Sequence, residues 1–321
     1  MPEMITYLIK RIFYIFFILV VMSILIFAIT QALPGNVARM ILGQFASQDS
    51  IEAIEKKLGL NDPLPVQYGR WAASIVKGDL GDSLIMERPI APVLWDALKR
   101  SAILAGMAFV CVAVIGIGLG ILAAIKQNQP LDHGISVFTY FGISVPEFFW
   151  GIVFMLLFSR YLGWLPSSGY APLNQGFWEW FSRLIAPTAT LTFTLIAHVS
   201  RLTRSSMLET LRRPYITAAR AKGLPERIVL GRHALRNALL PTITVLAIDV
   251  GWLFGGIVVV ETVFAYPGLG RLLIFAIERR DIPFIQIIIL FITAIYSFSN
   301  LIADLLYTYF NPRIRYGRTA S

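Results

Sequence analysis

Charge is scarce in this chain. Only 15% of its residues are Asp, Glu, Lys or Arg and 56% are hydrophobic, where soluble globular chains average about 25% and about 45–50%. An ordinary water-soluble domain is therefore a poor fit. Cysteine is nearly absent: Cys111 stands alone inside an apolar block, which excludes an internal disulfide and a cysteine-based metal cluster. The three histidines, at positions 133, 198 and 233, are too scattered for a structural zinc site. No G-x-x-x-x-G-K followed by Ser or Thr occurs, so the chain cannot cradle nucleotide phosphates by that route. An intramembrane enzyme also finds little support. Ser200, His198 and Asp249 supply residue types for nucleophilic catalysis, but positions two apart on a helix do not face each other, and no nucleophile motif surrounds Ser200. The chain reads as non-catalytic.

Long apolar runs dominate instead, with a mean hydropathy of +0.68. Lys10 and Arg11 precede a run at 12–33. That run exceeds the core of a cleavable signal, about 7–15 residues, and matches the roughly 20 needed to cross a bilayer. It reads as a retained first span. Further runs at 102–125, 135–158, 184–202, 238–260 and 284–309 bring the expected total to six. Backbone groups in lipid must bond within their own segment, so each span is a helix. The fourth is Thr-rich, begins at Ala186-Pro187 and contains His198, a composition that faces other helices rather than lipid.

The net charge of +9 would suggest a nucleic-acid partner in a soluble protein. Here the basic residues concentrate at the termini and in one loop, and no nucleic acid is expected. Residues 200–236 carry Arg201, Arg204, Arg212, Arg213, Arg220, Lys222, Arg227, Arg232 and Arg236 against Glu209 and Glu226. Lys10 and Arg11 at the start and Arg313, Arg315 and Arg318 at the end fall on the same side of six spans. By the positive-inside bias that side is the cytoplasm, whereas 34–100, with balanced charge, is external.

The expected architecture is all-α integral membrane: residues 1–33 form the N-terminus and first span, 34–100 an external helical insertion, and 101–321 a core of five further spans. In the insertion, Asp49 or Ser50 is placed to cap a short helix with Glu52 completing the box. Ile51, Ile54 and Leu58 share a face of it and Gly59 stops it. A second helix starts near Pro65 and carries Tyr68, Trp71 and Ile75, either as a lid packing on the helix ends or in contact with a partner or solute. Gly116 with Gly120, and Gly251 with Gly255, bring small residues to four-residue spacing, which favours close helix packing within the chain over a dedicated dimer contact.

The loop at 204–236 is the most informative stretch. Pro214 suits a first helical turn, the segment through Lys222 is rich in alanine, and Gly223 supplies the left-handed backbone that ends a helix, with Leu224-Pro225 completing the stop. The product is a short helix with small residues and basic edges, able to seat in a groove on a partner, with Arg220 and Lys222 free to meet acids there.

TAARAKG followed by HALRNALLP, within residues 217–241, resembles the coupling-loop signature, the EAA motif, of ABC importer permeases. The variant is similar to the branch that imports oligopeptides, dipeptides, opines, glutathione and nickel, of the dipeptide-permease B type. LPGN at 33–36, GDLGDS at 78–83, RSSMLETL at 204–211, ETVFAYPGLG at 261–270, RRDIP at 279–283, DLLY at 304–307 and NPRIR at 311–315 extend the likeness along nearly the whole chain. The motif's name-giving glutamate is replaced by Thr217, so a glutamate contact to the ATPase does not carry over.

The resemblance implies an inner-membrane subunit of a binding-protein-dependent ABC importer. It further implies a second homologous permease, two ATPase subunits that bind ATP and Mg, a periplasmic binding protein, alternating access, and no cofactor on this chain. Coupling residues would be Tyr215, Ala218, Ala219, Arg220, Lys222, Gly223 and Leu224. Peptides are the expected solutes, with opines, glutathione or nickel as alternatives in the same family; an ion-coupled secondary transporter is the remote one. Among acids in the spans, Glu147 and Asp249 could line the pathway and meet a cationic group. An internal hydrogen bond or a place near the interface is the plainer reading and is favoured at both. Asp304 reads as structural, and His198 as lying near the cytoplasmic surface.

Overall fold

The computed structural model describes residues 2–32, 47–58 and 61–310. The motifs at 33–36 and 311–315, Gly59 and the basic tail lie outside the described residues, as does the expected apolar face at Ile51, Ile54 and Leu58, whose side chains are not among those described. In chain order the helices are α1 (Pro2–Ala32), α2 (Gln48–Leu58), α3 (Leu64–Val76), α4 (Ile90–Ile125), α5 (Pro130–Ser144), α6 (Glu147–Tyr161), α7 (Phe177–Leu211), α8 (Pro214–Ala221), α9 (Glu226–Val263), α10 (Leu269–Glu278) and α11 (Ile282–Phe310). A two-residue antiparallel ladder, β1 (Asp82–Ser83) with β2 (Arg88–Pro89), pairs Asp82 with Pro89 and Ser83 with Arg88.

The helices α1, α4, α9 and α11 are each long and apolar enough to cross a membrane. The expected third span is not one straight helix: α5 and α6 meet at a bend of 105°. The cause is local. Val145 precedes Pro146 and is extended, at φ −118° and ψ 140°, because the proline ring disfavours helical backbone at the residue before it. The expected fourth span falls inside α7, which at 35 residues is about 50 Å long yet is not apolar enough to count on its own. Its composition follows its surroundings, since Thr188, Thr190, Thr192, Ser200, Thr203 and Thr210 are all buried.

The chain divides into two compact units. The first comprises 1–100 and 268–297. Its core gathers Ile90, Leu94, Leu269, Ala276, Phe284 and Ile288. Tyr68 and Trp71 of α3 lie against Phe27 of α1, with ring centroids 5.6 and 5.8 Å away, and the Tyr68 and Ser23 hydroxyls are hydrogen-bonded at 2.8 Å. The second expected helix of the insertion is thus seated on the first span. In α2 the cap is Ser47 rather than Asp49 or Ser50: the Ser50 amide donates to the Ser47 hydroxyl at 3.3 Å, and Asp49 sits in the first turn.

Asp281 is fully buried at the start of α11. Its carboxylate accepts from the Ser83 hydroxyl and from the backbone amides of Leu84, Ile85 and Phe284. The GDLGDS and RRDIP motifs, about two hundred residues apart, are therefore two halves of one hydrogen-bonded joint. A buried carboxylate is tolerated where several donors satisfy it.

The second unit, 101–267 and 298–321, is organised around α7. Leu104, Val112, Leu191, Leu195, Val199, Leu253, Ile257 and Tyr266 share its core. Gly120 packs directly on α7: a Cβ there would stand 2.5 Å from the Thr203 Cβ and 2.6 Å from the Ser200 carbonyl oxygen. Gly116 meets Val199 in the same way. This glycine pair thus packs helices within the chain. Gly255, by contrast, faces open space.

Candidate functional site

The segment between α7 and α9 is built by local rules. Arg213 is extended, Pro214 opens α8, and Lys222 closes it. Gly223 adopts φ +75°. Its amide reaches the Arg220 carbonyl at 2.9 Å and the Leu224 amide reaches the Ala219 carbonyl at 3.4 Å, the paired closing bonds of a glycine-terminated helix.

The helix has two sides. Ile216 and Ala219 are buried with Ala124, Met207, Val229, Ala234 and Ala238, so α8 is fastened to α4, α7 and α9. Tyr215, Ala218, Lys222, Gly223 and Leu224 are exposed. The Tyr215 hydroxyl accepts a hydrogen bond from Asn237 Nδ2 at 3.0 Å. Arg220 is not free to meet a partner's acid: its Nη2 and Nε lie 2.6 and 3.1 Å from the two carboxylate oxygens of Glu226. That fork bridges the Gly223 turn and holds it closed. Sequence reasoning missed Ile228, which adds an exposed apolar side chain beside Leu224, and missed the Arg220–Glu226 pairing, whose only signal was opposite charges six residues apart across a glycine. Below α8, Arg204 forks onto Asp132 at 2.6 and 2.7 Å, and Asp132 also accepts the Asn128 amide at 2.9 Å. The α4–α5 connection is thereby tied to α7.

The two acids singled out in the spans meet the same helix. Asp249, on α9, is 3% exposed. One of its oxygens lies 3.9 Å from His198 Nδ1 on α7, and the other is buried without a hydrogen-bond partner. His198 stands about 20 Å along α7 from Leu211 by helical rise. Glu147 opens α6 and rests against Gly256 of α9. It makes no hydrogen bond or ion pair among the described residues.

Residues 116–316 match the family described as binding-protein-dependent transport system inner membrane component, and residues 4–101 match its N-terminal counterpart. The chain belongs to this family. It is an inner-membrane, multi-pass component of an ABC transport system, the non-catalytic membrane subunit that works with an ATPase and a binding protein. Curated relatives match end to end. A probable peptide ABC transporter permease from Sinorhizobium fredii is 38% identical over 97% of this chain and 99% of its own. The dipeptide transport system permease DppB of Alkalihalophilus pseudofirmus is 38% identical over 98% and 100%. The glutathione transport system permease GsiC of Escherichia coli is 37% identical over 98% and 100%. Among solved structures, the MetNI methionine ABC transporter in an inward-facing conformation shares the fold of the permease. Its TM-score is 0.55 at 18% identity, covering 68% of this chain and 96% of that one.

Proposed function

We propose that this permease is one of two homologous membrane subunits forming a peptide pathway, and that α8 with the Gly223 turn is the surface on which the ATPase docks. The observation that carries the docking assignment is the two-sidedness of α8. Ile216 and Ala219 fasten it to three long helices, while Tyr215, Ala218, Lys222, Gly223, Leu224 and Ile228 face outward. A helix held in this way passes a push from the ATPase to the spans as a rigid body, and the chain has no phosphate loop of its own. ATP and Mg bind to two partner ATPase subunits, whose closure and reopening bias the spans between outward- and inward-open states. Only an element with different contacts in two states couples the two processes.

Positive charge places the loop around Gly223 and both termini in the cytoplasm, with 34–100 in the periplasm, where a binding protein delivers solute. Peptides are the favoured solutes because relatives carrying that name match the full length; glutathione is the alternative that a relative also supports. Glu147 and Asp249 line the pathway. The docking assignment is tested by Leu224→Cys in a Cys111→Ser background, with a thiol scan of the ATPase surface. A cross-link that forms in the assembled transporter supports the surface. No cross-link to any ATPase position, in a transporter that still holds its ATPase, contradicts it.

A further inference from the structure

We propose that one face of α9, together with the side chains of α6 and α7 that meet it, is a cation subsite that receives the primary ammonium group of the transported solute, such as the free amino end of a peptide. The proposal rests on the reading above that the chain lines half of a solute pathway.

Asp249, Trp252 and Gly256 stand at i, i+3 and i+7 on α9 and so share one side of it. At the first level, Asp249 presents one oxygen to His198 Nδ1 at 3.9 Å and keeps the other buried with no partner. At the second level the Trp252 ring is 62% exposed and meets His198 edge to face, with centroids 6.1 Å apart. At the third level, about 10 Å along the helix from Asp249, the Glu147 carboxylate occupies the space that a side chain at 256 would need. A Cβ on Gly256 would lie 2.5 and 2.7 Å from its oxygens. The row therefore offers two carboxylates and a π face between them, all of which favour a cation.

The basic side chain one turn along α7 from His198 is engaged elsewhere, since the Arg201 guanidinium lies 5.8 Å over the Tyr140 ring. No group of three or more His, Cys, Asp or Glu among the described residues is arranged to hold a metal ion, which favours an organic ammonium over a metal. An intramembrane acid without a partner is costly and marks a pathway or a binding site. Asp249 on α9, with one oxygen buried and unpartnered, and Glu147 on α6, resting against Gly256 of the same side of α9, are accounted for by a cationic occupant.

The test measures local charge preference and needs no knowledge of the solute. Gly255 is exposed, and a Cβ there has nothing within 4 Å, so Gly255→Cys in a Cys111→Ser background places a thiol beside the row without displacing any member. Its rates with a cationic and an anionic methanethiosulfonate are measured on the assembled transporter in detergent, each normalised to the rate with a free thiol. The cationic reagent is expected to be favoured about tenfold or more, with the preference falling towards unity when Glu147→Gln, or separately Asp249→Asn, is added. A preference that is absent, reversed or unchanged in both variants overturns the proposal, as does a thiol that reacts with neither reagent. These rates are read without uptake, so their outcome is independent of the assay that tests the permease reading itself.

Discussion

Gly223 holds φ +75° in the turn after α8, a backbone that a β-branched residue takes only at a cost of roughly 1–2 kcal/mol. Gly223→Val is expected to leave the permease inserted in the membrane but to abolish transport, because the turn is part of the proposed docking surface. Full transport by this variant, with the ATPase still bound, would show that the turn is not that surface. The neighbouring alanines separate fold from function. Ala219 is buried among Met207, Val229 and Ala234, so Ala219→Glu forces a charge into an apolar cluster and should destabilise the loop on the order of 3 kcal/mol or more, read as lower yield and lower thermal stability. Ala218 is exposed, so Ala218→Glu should leave stability unchanged and weaken ATPase retention. Equal stability of the two variants would refute the sidedness described above. The helix itself could be read from Pro214 and Gly223, because start and stop signals act through the local backbone. Which alanine faces inward could not, because a run of small apolar residues has no polar face to orient it. The Arg220–Glu226 fork escaped for a related reason: it depends on the path of the turn between them.

At the scale of elements, the joint at Asp281 combines segments that the sequence separates. Removing the carboxylate leaves the Phe284 amide unsatisfied in a buried place, at about 1–3 kcal/mol, and takes a partner from the part-buried amides of Leu84 and Ile85. Asp281→Ala is therefore expected to cost more than Ser83→Ala, and the double variant less than the sum of the two, since both act on one network. Strict additivity in a thermal-unfolding comparison would contradict the joint. The two motifs were visible in the sequence as motifs, but their pairing was not, since long-range hydrogen bonds leave no trace in local composition. The break between α5 and α6 was written in Val145-Pro146 and hidden by apolar residues on both sides, which read as one run. The Thr-rich composition of α7 pointed correctly to a helix among helices, and the glycines facing Val199 and Thr203 mark where it is gripped. Gly120→Val should cost roughly 1–3 kcal/mol by overpacking, whereas Gly255→Val, in open space, should cost far less.

The whole molecule has a direction in the membrane and a source of energy. Direction rests on charge asymmetry. Ser47 and Ser205 are both exposed, and single thiols placed there by Ser47→Cys and Ser205→Cys, each with Cys111→Ser, report the side on which each lies. An impermeant reagent is expected to label intact spheroplasts at position 47 and not at 205; the reverse pattern would overturn the topology. The claim about energy is central. The permease alone is expected to hydrolyse no ATP and to move no solute. Liposomes holding it with its second permease and two ATPase subunits should take up a dipeptide only when ATP, Mg and the loaded binding protein are all present, with ATPase activity rising on addition of that binding protein. Uptake of solute by liposomes containing this chain alone, driven by a proton or sodium gradient, would contradict the account.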